Sequence, residues 1–206
     1  MTHEGGLSTV LDTMQQALSI LAGLIALGAY LPYAADILKG RVQTARSSRI
    51  MFVLLLLLTT LQQNAVHSGL LVMVTAGELV GSCGILILSL RHGEGGMARL
   101  DKLCYLMLAA DILLWVNTGS ALLALHLSAL ADLVAFTPTL VKTWRRPHTE
   151  TRTFYIIGTV EPALNIAASD RFSYSVLLFP VYLVLANLAE VFLIAGRSRR
   201  HSGSSG

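Results

Sequence analysis

The stretch Phe136–Phe154, FTPTLVKTWRRPHTETRTF, decides how the rest of the chain is arranged. A proline lies near the end of an apolar run, a basic cluster follows it, and Thr-Glu-Thr opens the next apolar run. Proline removes one backbone hydrogen bond from a helix and favours a bend, whereas a hydroxyl and a carboxylate stabilise a helix start. The stretch therefore predicts a helix, a basic turn and a second helix.

The composition around this stretch is that of a polytopic membrane protein. Of the 206 residues, 54% are hydrophobic and 13% are charged, and the mean hydropathy is +0.65. The net charge of +3 comes from basic clusters between apolar runs and does not indicate a nucleic-acid partner. Cys83 and Cys104 lack metal-ligand spacing, so neither a metal site nor a cofactor is predicted. The N-terminus lacks the basic region of a cleavable signal, and we expect the first apolar run to be retained as a membrane helix.

Seven apolar segments are candidate membrane spans, at about 16–38, 50–66, 70–90, 103–116, 121–141, 153–168 and 175–195. A spanning helix needs about 20 residues, so the fourth segment is the shortest candidate. With seven spans and an outer N-terminus, only Arg171 of the 15 basic residues lies outside. The inner residues are Lys39, Arg41, Arg46, Arg49, Arg91, Arg99, Lys102, Lys142, Arg145, Arg146, Arg152, Arg197, Arg199 and Arg200. The positive-inside rule therefore predicts seven spans, because omitting the fourth would divide the basic residues almost evenly.

An internal repeat follows when Pro32 is aligned with Pro138, an offset of 106 residues. Each half has a helix with a proline near its inner end, a basic turn and two further helices. We predict a first three-helix repeat at 1–98, a linking fourth helix at 99–119 and a second repeat at 120–201. The fourth helix inverts the chain, so that the two repeats run parallel. Residues 202–206, SGSSG, have the composition of an appended tail.

The three-one-three arrangement with paired prolines resembles the PQ-loop and SWEET superfamily. The motif of that family is Pro-Gln, a basic residue three positions after the Gln, Ser/Thr-Glu-Gly, and a Ser that opens the next helix. The positions that match are Pro138, Lys142, Thr149, Glu150 and Thr153 in the second half and Pro32, Thr44 and Ser47 in the first. Tyr33 and Thr139 stand where the family has glutamine. The chain also resembles uncharacterised bacterial membrane proteins that carry PY-x-x-DIL-x-G and F-x-PT-x-x-K, which implies a bacterial inner membrane.

The resemblance implies an all-α, seven-helix carrier that works by alternating access, with Pro32 and Pro138 as hinges. Its expected solute is a sugar, an amino acid or a related metabolite. Asn187 matches the depth at which SWEET-type carriers contact the solute. Glu161 falls within one residue of the helix-6 aspartate of proton-coupled lysosomal members. The KDEL receptor shares this scaffold, so a receptor or sensor is the alternative function.

Acidic residues at membrane depth are the most informative feature of the spans themselves. Glu78, Asp132 and Glu161 fall near the middle of their segments, where each ionised carboxylate costs on the order of 2.5 to 3.5 kcal/mol. All Lys and Arg residues are assigned to loops or termini, and His126 is the one basic candidate within a span. We therefore expect these acids to be protonated, hydrated or bound to a cation, as in a proton-coupled carrier of a neutral or cationic solute.

The predicted solute and proton site comprises Glu78, Asp132, Glu161, Asn165 and Asn187, with Asp111, Glu190 and His126 as further candidates. Structural roles stay open for Asp111, beside Asn117 and Trp115, and for Glu190 near the headgroups. The polar residues Gln62 and Gln63 are expected at a hydrated outer rim, and aromatic residues such as Tyr30, Tyr155 and Tyr182 are expected to be interfacial anchors. No H-E-x-x-H or G-x-S-x-G motif is present, so an enzyme is not predicted. An oligomer remains open.

Overall fold

The computed structural model describes residues 3–42, 44, 46–66, 72–93, 99–146, 150–167, 169 and 171–202, with the backbone alone at 3–12, 100, 138, 142 and 197–202. Within these ranges the chain forms seven α-helices and no β-strand. They are α1 (His3–Leu38), α2 (Arg46–Ala65), α3 (Val72–His92), α4 (Arg99–Thr118), α5 (Ala121–Arg145), α6 (Arg152–Ala167) and α7 (Tyr174–Ser202). The motif residue Thr149 and positions 203–206 of the tail lie outside the described residues.

The helices run alternately towards and away from one end of the bundle, which we call the basic end. It is the end at which α1, α3 and α5 terminate and α2, α4 and α6 begin. Three hydrogen bonds join helix ends there: Thr44 with Ser89 at 2.7 Å, Ser47 with Asp101 at 2.7 Å, and Thr151 with Asp36 at 2.5 Å. Helix α7 also runs towards this end, because Glu190 in its second half accepts a hydrogen bond from Thr143 near the end of α5.

Each half of the chain packs its helices in the same order. In the first half α3 packs against both α1 and α2, and in the second half α7 packs against both α5 and α6. The halves meet through two equivalent pairs, α1 with α6 and α2 with α5, while α4 packs mainly on α5. In the described residues the contacts of α3 with α6 are sparse, which leaves room between the halves.

Small residues allow α1 and α3 to approach closely. A Cβ atom added at Gly77 would overlap the carbonyl oxygen of Gly23, and one added at Gly81 would overlap the ring of Tyr30. Gly77 and Gly81 form a G-x-x-x-G pattern, which places both glycines on one helix face and favours close packing of membrane helices. At the end of α1, Gly40 has a positive φ of 67° and terminates the helix.

Large apolar side chains lie on the outside of the bundle, and its interior contains both apolar and polar residues. Every helix exposes large apolar side chains, including Leu31, Leu61, Ile87, Val116, Leu130, Ile156 and Phe192. Four helical segments are long and apolar enough to cross a membrane: Thr13–Leu38, Val72–His92, Ala121–Arg145 and Tyr174–Gly196. The chain is therefore an all-α membrane protein.

Several helix bounds differ from the apolar segments. Helix α4 has 20 residues, rather than the short apolar run at 103–116, because it begins with the polar turn at Arg99. Helix α1 begins at His3 instead of near residue 16. Pro32 lies inside α1, and α5 continues through position 138. Further prolines, Pro162 and Pro180, lie inside α6 and α7.

Candidate functional site

A central cavity of about 120 Å³ lies between the two halves of the chain. Among the described residues, those that line the cavity come from α1, α2, α3, α5, α6 and α7, and none comes from α4. Its polar and charged lining residues are Arg49, Glu78, Ser82, Asp132, Thr139, Glu161 and Asn187. Its aromatic lining residues are Tyr30, Tyr33, Phe52, Phe136, Phe154, Tyr155 and Phe179.

Four of the five residues predicted for the solute site line this cavity. Glu78 comes from α3, Asp132 from α5, Glu161 from α6 and Asn187 from α7, so both halves contribute. Asn165 lies one turn beyond Glu161 on the same face of α6 and is fully buried, but it does not line the cavity. The spacing of four residues correctly predicted that Glu161 and Asn165 share one face of α6. It could not predict that Glu161 lines the cavity whereas Asn165 is buried in the protein core.

The carboxyl groups of Glu78 and Glu161 lie within hydrogen-bonding reach of each other. Both side chains are buried, with 9% and 2% of their surface exposed. Neither Glu78 Oε2 nor Glu161 Oε2 accepts a hydrogen bond from an N–H or hydroxyl group of the described residues. Two ionised carboxylates repel at this separation, whereas one shared proton makes the contact a strong hydrogen bond. The two acidic side chains therefore face each other across the boundary between the halves.

Asp132 forms a third acidic group near this pair and has a partner of its own. The Tyr182 hydroxyl donates a hydrogen bond of 2.6 Å to Asp132 Oδ2. Tyr182 therefore supports a site residue, and the expectation that it is an interfacial anchor is wrong. The same expectation is wrong for Tyr30 and Tyr155, which line the cavity.

Asn187 is held at the cavity wall by contacts with α7 and α6. Its Nδ2 donates a hydrogen bond of 2.9 Å to the carbonyl oxygen of Leu183, within its own helix. Its Oδ1 lies against Gly158, where an added Cβ atom would come within 2.8 Å. Gly158 therefore provides the space that the Asn187 amide occupies.

Arg49 corrects the expectation that every basic residue lies in a loop or at a terminus. It lies one turn inside α2 and lines the cavity. Its guanidinium carbon is 5.1 Å from the centre of the Tyr33 ring and 5.8 Å from that of Phe52, and it donates a hydrogen bond to the Tyr33 hydroxyl. The cavity thus contains a fixed positive charge as well as acidic groups.

Aromatic side chains that line the cavity join α6 of the second half to α1 of the first. The Phe154 ring of α6 lies 5.3 Å from the Tyr30 ring and 5.2 Å from the Tyr33 ring of α1. Closer to the basic end, Thr151 donates its hydrogen bond to Asp36, which also pairs with Arg41. These contacts join α6 to α1 near the basic end.

Asp111 lies outside the cavity in a separate buried network. The Gln62 amide donates a hydrogen bond of 3.0 Å to Asp111 Oδ1, and the Ser128 hydroxyl contacts both Asp111 Oδ2 and Gln62 Oε1. The structural interpretation of Asp111 is thereby supported, but its partners are not the expected Asn117 and Trp115. The network ties α4 to α2 and α5. Gln62 is fully buried, so its assignment to a hydrated rim is wrong.

Two further candidates, Glu190 and His126, do not line the cavity. Glu190 is fully buried and accepts a hydrogen bond from Thr143 of α5. His126 is exposed, and its Nε2 contacts the Tyr174 hydroxyl at 2.6 Å, far along α5 from the basic end. Roughly one and two-thirds helical turns separate His126 from Asp132, so the two side chains project in different directions.

Eight of the lining residues that the sequence analysis did not select for the site are related by the repeat offset of 106. Four pairs at this offset line the cavity together: Tyr30 with Phe136, Tyr33 with Thr139, Arg49 with Tyr155 and Phe52 with Gly158. Only some members are polar, so a search for polar residues at helical spacing misses them. Arg49 corresponds to Tyr155 at this offset, and Tyr155 was itself expected to be an interfacial anchor, so the sequence analysis had no signal that pointed to Arg49.

Among the described residues, no group of three or more His, Cys, Asp or Glu side chains is arranged to hold a metal ion. In comparisons with protein-family models, curated proteins and solved structures, nothing matches the chain.

Proposed function

We propose that the protein is a small-solute carrier that works by alternating access around the central cavity. The observation that carries this proposal is the position of Glu78, Asp132, Glu161 and Asn187, which come from both halves and meet in one cavity between them. A site shared by two three-helix units changes its exposure when the units rock against each other.

Helix direction supports seven membrane spans. The four long apolar helices α1, α3, α5 and α7 all run towards the basic end. If these four cross the bilayer in one direction, α2, α4 and α6 must each bring the chain back across. Their exposed apolar side chains suit contact with lipid. Polar residues lower the hydropathy of α2 and α4, and α6 is a short helix of 16 residues. We place the basic end in the cytoplasm by the positive-inside rule.

The arrangement of two equivalent halves supports the three-one-three repeat. In both halves the third helix packs against the first two. A twofold rotation that relates α1 to α5 and α2 to α6 would also interchange the contact of α1 with α6 and the contact of α2 with α5. Pairs of cavity residues at the offset of 106 are consistent with an axis through the cavity. Helix α4 lies outside this symmetry, as expected for a linker.

The contact between Glu78 and Glu161 supports proton coupling. We infer that the two carboxyl groups share one proton, which a solute that separates them displaces or leaves on one of the two. Because the two glutamates belong to different halves, rocking of the halves also changes their separation. A proton can thus move with the conformational cycle.

A receptor on the same scaffold is the second candidate, and Arg49 favours it. A cavity that holds a fixed guanidinium suits recognition of an anionic group, which a receptor for an acidic peptide terminus requires. The two functions differ in how the cavity is exposed. A carrier exposes its cavity to each side of the membrane in turn, whereas a receptor needs to expose it to one side only.

Cysteine accessibility distinguishes these functions whatever the solute is. Cys83 and Cys104 are replaced by alanine, Ser82→Cys is introduced at the cavity wall, and a membrane-impermeant thiol reagent is applied from each side of oriented vesicles. A carrier is labelled from both sides. Ser128→Cys, buried in the Asp111 network, is the control and should remain unlabelled. Labelling of Ser82→Cys from one side favours the receptor, and labelling from neither side contradicts both proposals.

A further inference from the structure

We propose that the solute is a small zwitterion, whose anionic group binds Arg49 and whose protonated amine binds the carboxyl groups of Glu78, Glu161 and Asp132. This inference rests on the proposed function, because it assigns the solute class of that same cavity. Among the expected neutral or cationic solutes, which were sugars, amino acids and related metabolites, it selects those that carry an amine and an anionic group together.

The anionic group is inferred from the donors of Arg49. A guanidinium carries its charge at every pH at which proteins fold and presents five N–H donors in a planar fork. In the described residues no carboxylate lies within 4.0 Å of the Arg49 guanidinium. Its Nε is buried without a hydrogen-bond partner, and the one hydrogen bond described goes to Tyr33. A carboxylate from the solute would use these donors and balance the charge.

Two aromatic rings fix the guanidinium in position for such a ligand. The Tyr33 and Phe52 rings each lie within 6 Å of it, a geometry in which ring and cation attract. A guanidinium held in this way loses less side-chain entropy on binding an anion than a free one would. Arg49 therefore has the preorganisation expected of a binding residue.

The cationic group is inferred from the acceptors of the carboxyl cluster. The Oε2 atoms of Glu78 and Glu161 accept no hydrogen bond from an N–H or hydroxyl group of the described residues. Asp132 receives one hydrogen bond from Tyr182 and lines the same cavity. An ammonium group provides three donors and a positive charge, so it can replace the shared proton between the glutamates.

The distance between these two groups sets the size of the solute. Arg49 lies three residues from the start of α2 and Glu161 nine residues from the start of α6. Their Cα atoms therefore differ in depth by on the order of 9 Å if the helices begin level. The long Arg49 side chain reduces the gap between the charged ends. The cavity volume of about 120 Å³ suits a short amino acid rather than a peptide.

The test uses three zwitterions with increasing charge separation: alanine, β-alanine and 4-aminobutyrate. Ethylamine and propylamine lack the carboxylate, whereas propionate and butyrate lack the amine. Binding to purified full-length protein is measured by calorimetry and by ligand-induced thermal stabilisation. We expect at least one zwitterion to bind about tenfold or more tightly than both of its analogues, as expected when a charged hydrogen-bonding group is removed.

Arg49→Gln should abolish the advantage of the zwitterion over its amine analogue while amine binding remains. Arg46→Gln is the matched control, because Arg46 lies one turn earlier on α2, is exposed, and donates to the Ser89 carbonyl outside the cavity. Arg49→Lys should retain part of the preference. If no zwitterion binds better than its analogues, or if Arg49→Gln keeps the full preference, the inference is wrong. The comparison of ligands on the wild type decides the matter even if Arg49→Gln does not fold.

Failure of this inference and failure of the carrier are distinguishable. If Ser82→Cys is labelled from both sides but no zwitterion is preferred, the carrier function stands and the proposed zwitterionic solute is wrong. If Ser82→Cys is labelled from one side only and a zwitterion is clearly preferred, the proposed ligand class stands and the protein is a receptor rather than a carrier.

Discussion

Glu78 of α3 and Glu161 of α6 bring their carboxyl groups together across the boundary between the two halves of the chain. The contact joins a helix of the first half to a helix of the second, at a place where α3 and α6 otherwise barely meet. Polar residues inside a membrane protein are expensive and usually functional. We therefore regard this pair as the centre of the proposed mechanism.

The close packing of α1 and α3 predicts that Gly77→Ala destabilises the protein by about 1–3 kcal/mol, because the new methyl group meets backbone that cannot move aside easily. The overlap is with the Gly23 carbonyl oxygen. Gly84→Ala is the control on the same helix, since no atom lies within 4 Å of a Cβ atom there. Thermal unfolding in detergent measures both variants. Equal midpoints for the two would contradict the described packing.

The Asp111 network predicts different outcomes for two substitutions at one position. Asp111→Ala leaves Gln62 and Ser128 buried without this partner, which costs about 1–3 kcal/mol. Asp111→Asn keeps an acceptor for the Gln62 amide and adds a donor for Ser128, so its stability should remain close to that of the wild type. Chemical unfolding in detergent provides the comparison. A large loss of stability in Asp111→Asn would indicate that the charge itself is required.

The space beside Asn187 predicts that Gly158→Ala impairs solute binding more than it impairs folding. The added methyl group displaces the Asn187 amide, which is the flexible end of a side chain and can move. We expect binding of the preferred zwitterion to weaken about tenfold, with a thermal midpoint near that of the wild type. Gly28→Ala, on an open face of α1, should change neither quantity. Unchanged binding in Gly158→Ala would remove Asn187 from the site.

The hydrogen bond between Thr151 and Asp36 predicts a change in access from the basic end. Thr151→Val removes the hydroxyl that joins α6 to α1 there. Labelling of Ser82→Cys from the basic end should then become several-fold faster, because a link worth about 1 kcal/mol is lost. Thr159→Val is the control, since within the described part of the chain the Thr159 hydroxyl donates to the Tyr155 carbonyl of its own helix and to no other group. Equal labelling rates would show that this contact does not limit access.

The sequence predicted the helices and much of the acidic site because both depend on local patterns. Apolar runs and basic clusters mark the spans, and the cost of a buried charge identifies Glu78, Asp132 and Glu161. It could not predict which acids share a cavity. Asp111 and Glu190 are also acidic residues within apolar segments, so the sequence does not distinguish them from the three cavity acids. The packing of the helices places them in separate buried contacts.

Arg49 was missed for a specific physical reason. Its position at the start of α2 makes it one of the basic residues that the positive-inside rule assigns to a loop. A long arginine side chain can nevertheless extend along the helix into the cavity, where Tyr33 and Phe52 hold it. Tyr30 and Tyr155 were misassigned similarly, because aromatic residues near span ends serve as membrane anchors or as cavity walls.

Uptake into proteoliposomes under an imposed pH gradient tests the central claim most directly. The solute is the zwitterion that binds among alanine, β-alanine and 4-aminobutyrate, or whichever analogue binds if none of these does. We predict that the gradient drives uptake in the wild type and in Asp111→Asn, and that Glu161→Gln and Asp132→Asn lose this dependence. Equal uptake in the wild type and both cavity variants, with or without the gradient, would contradict the account.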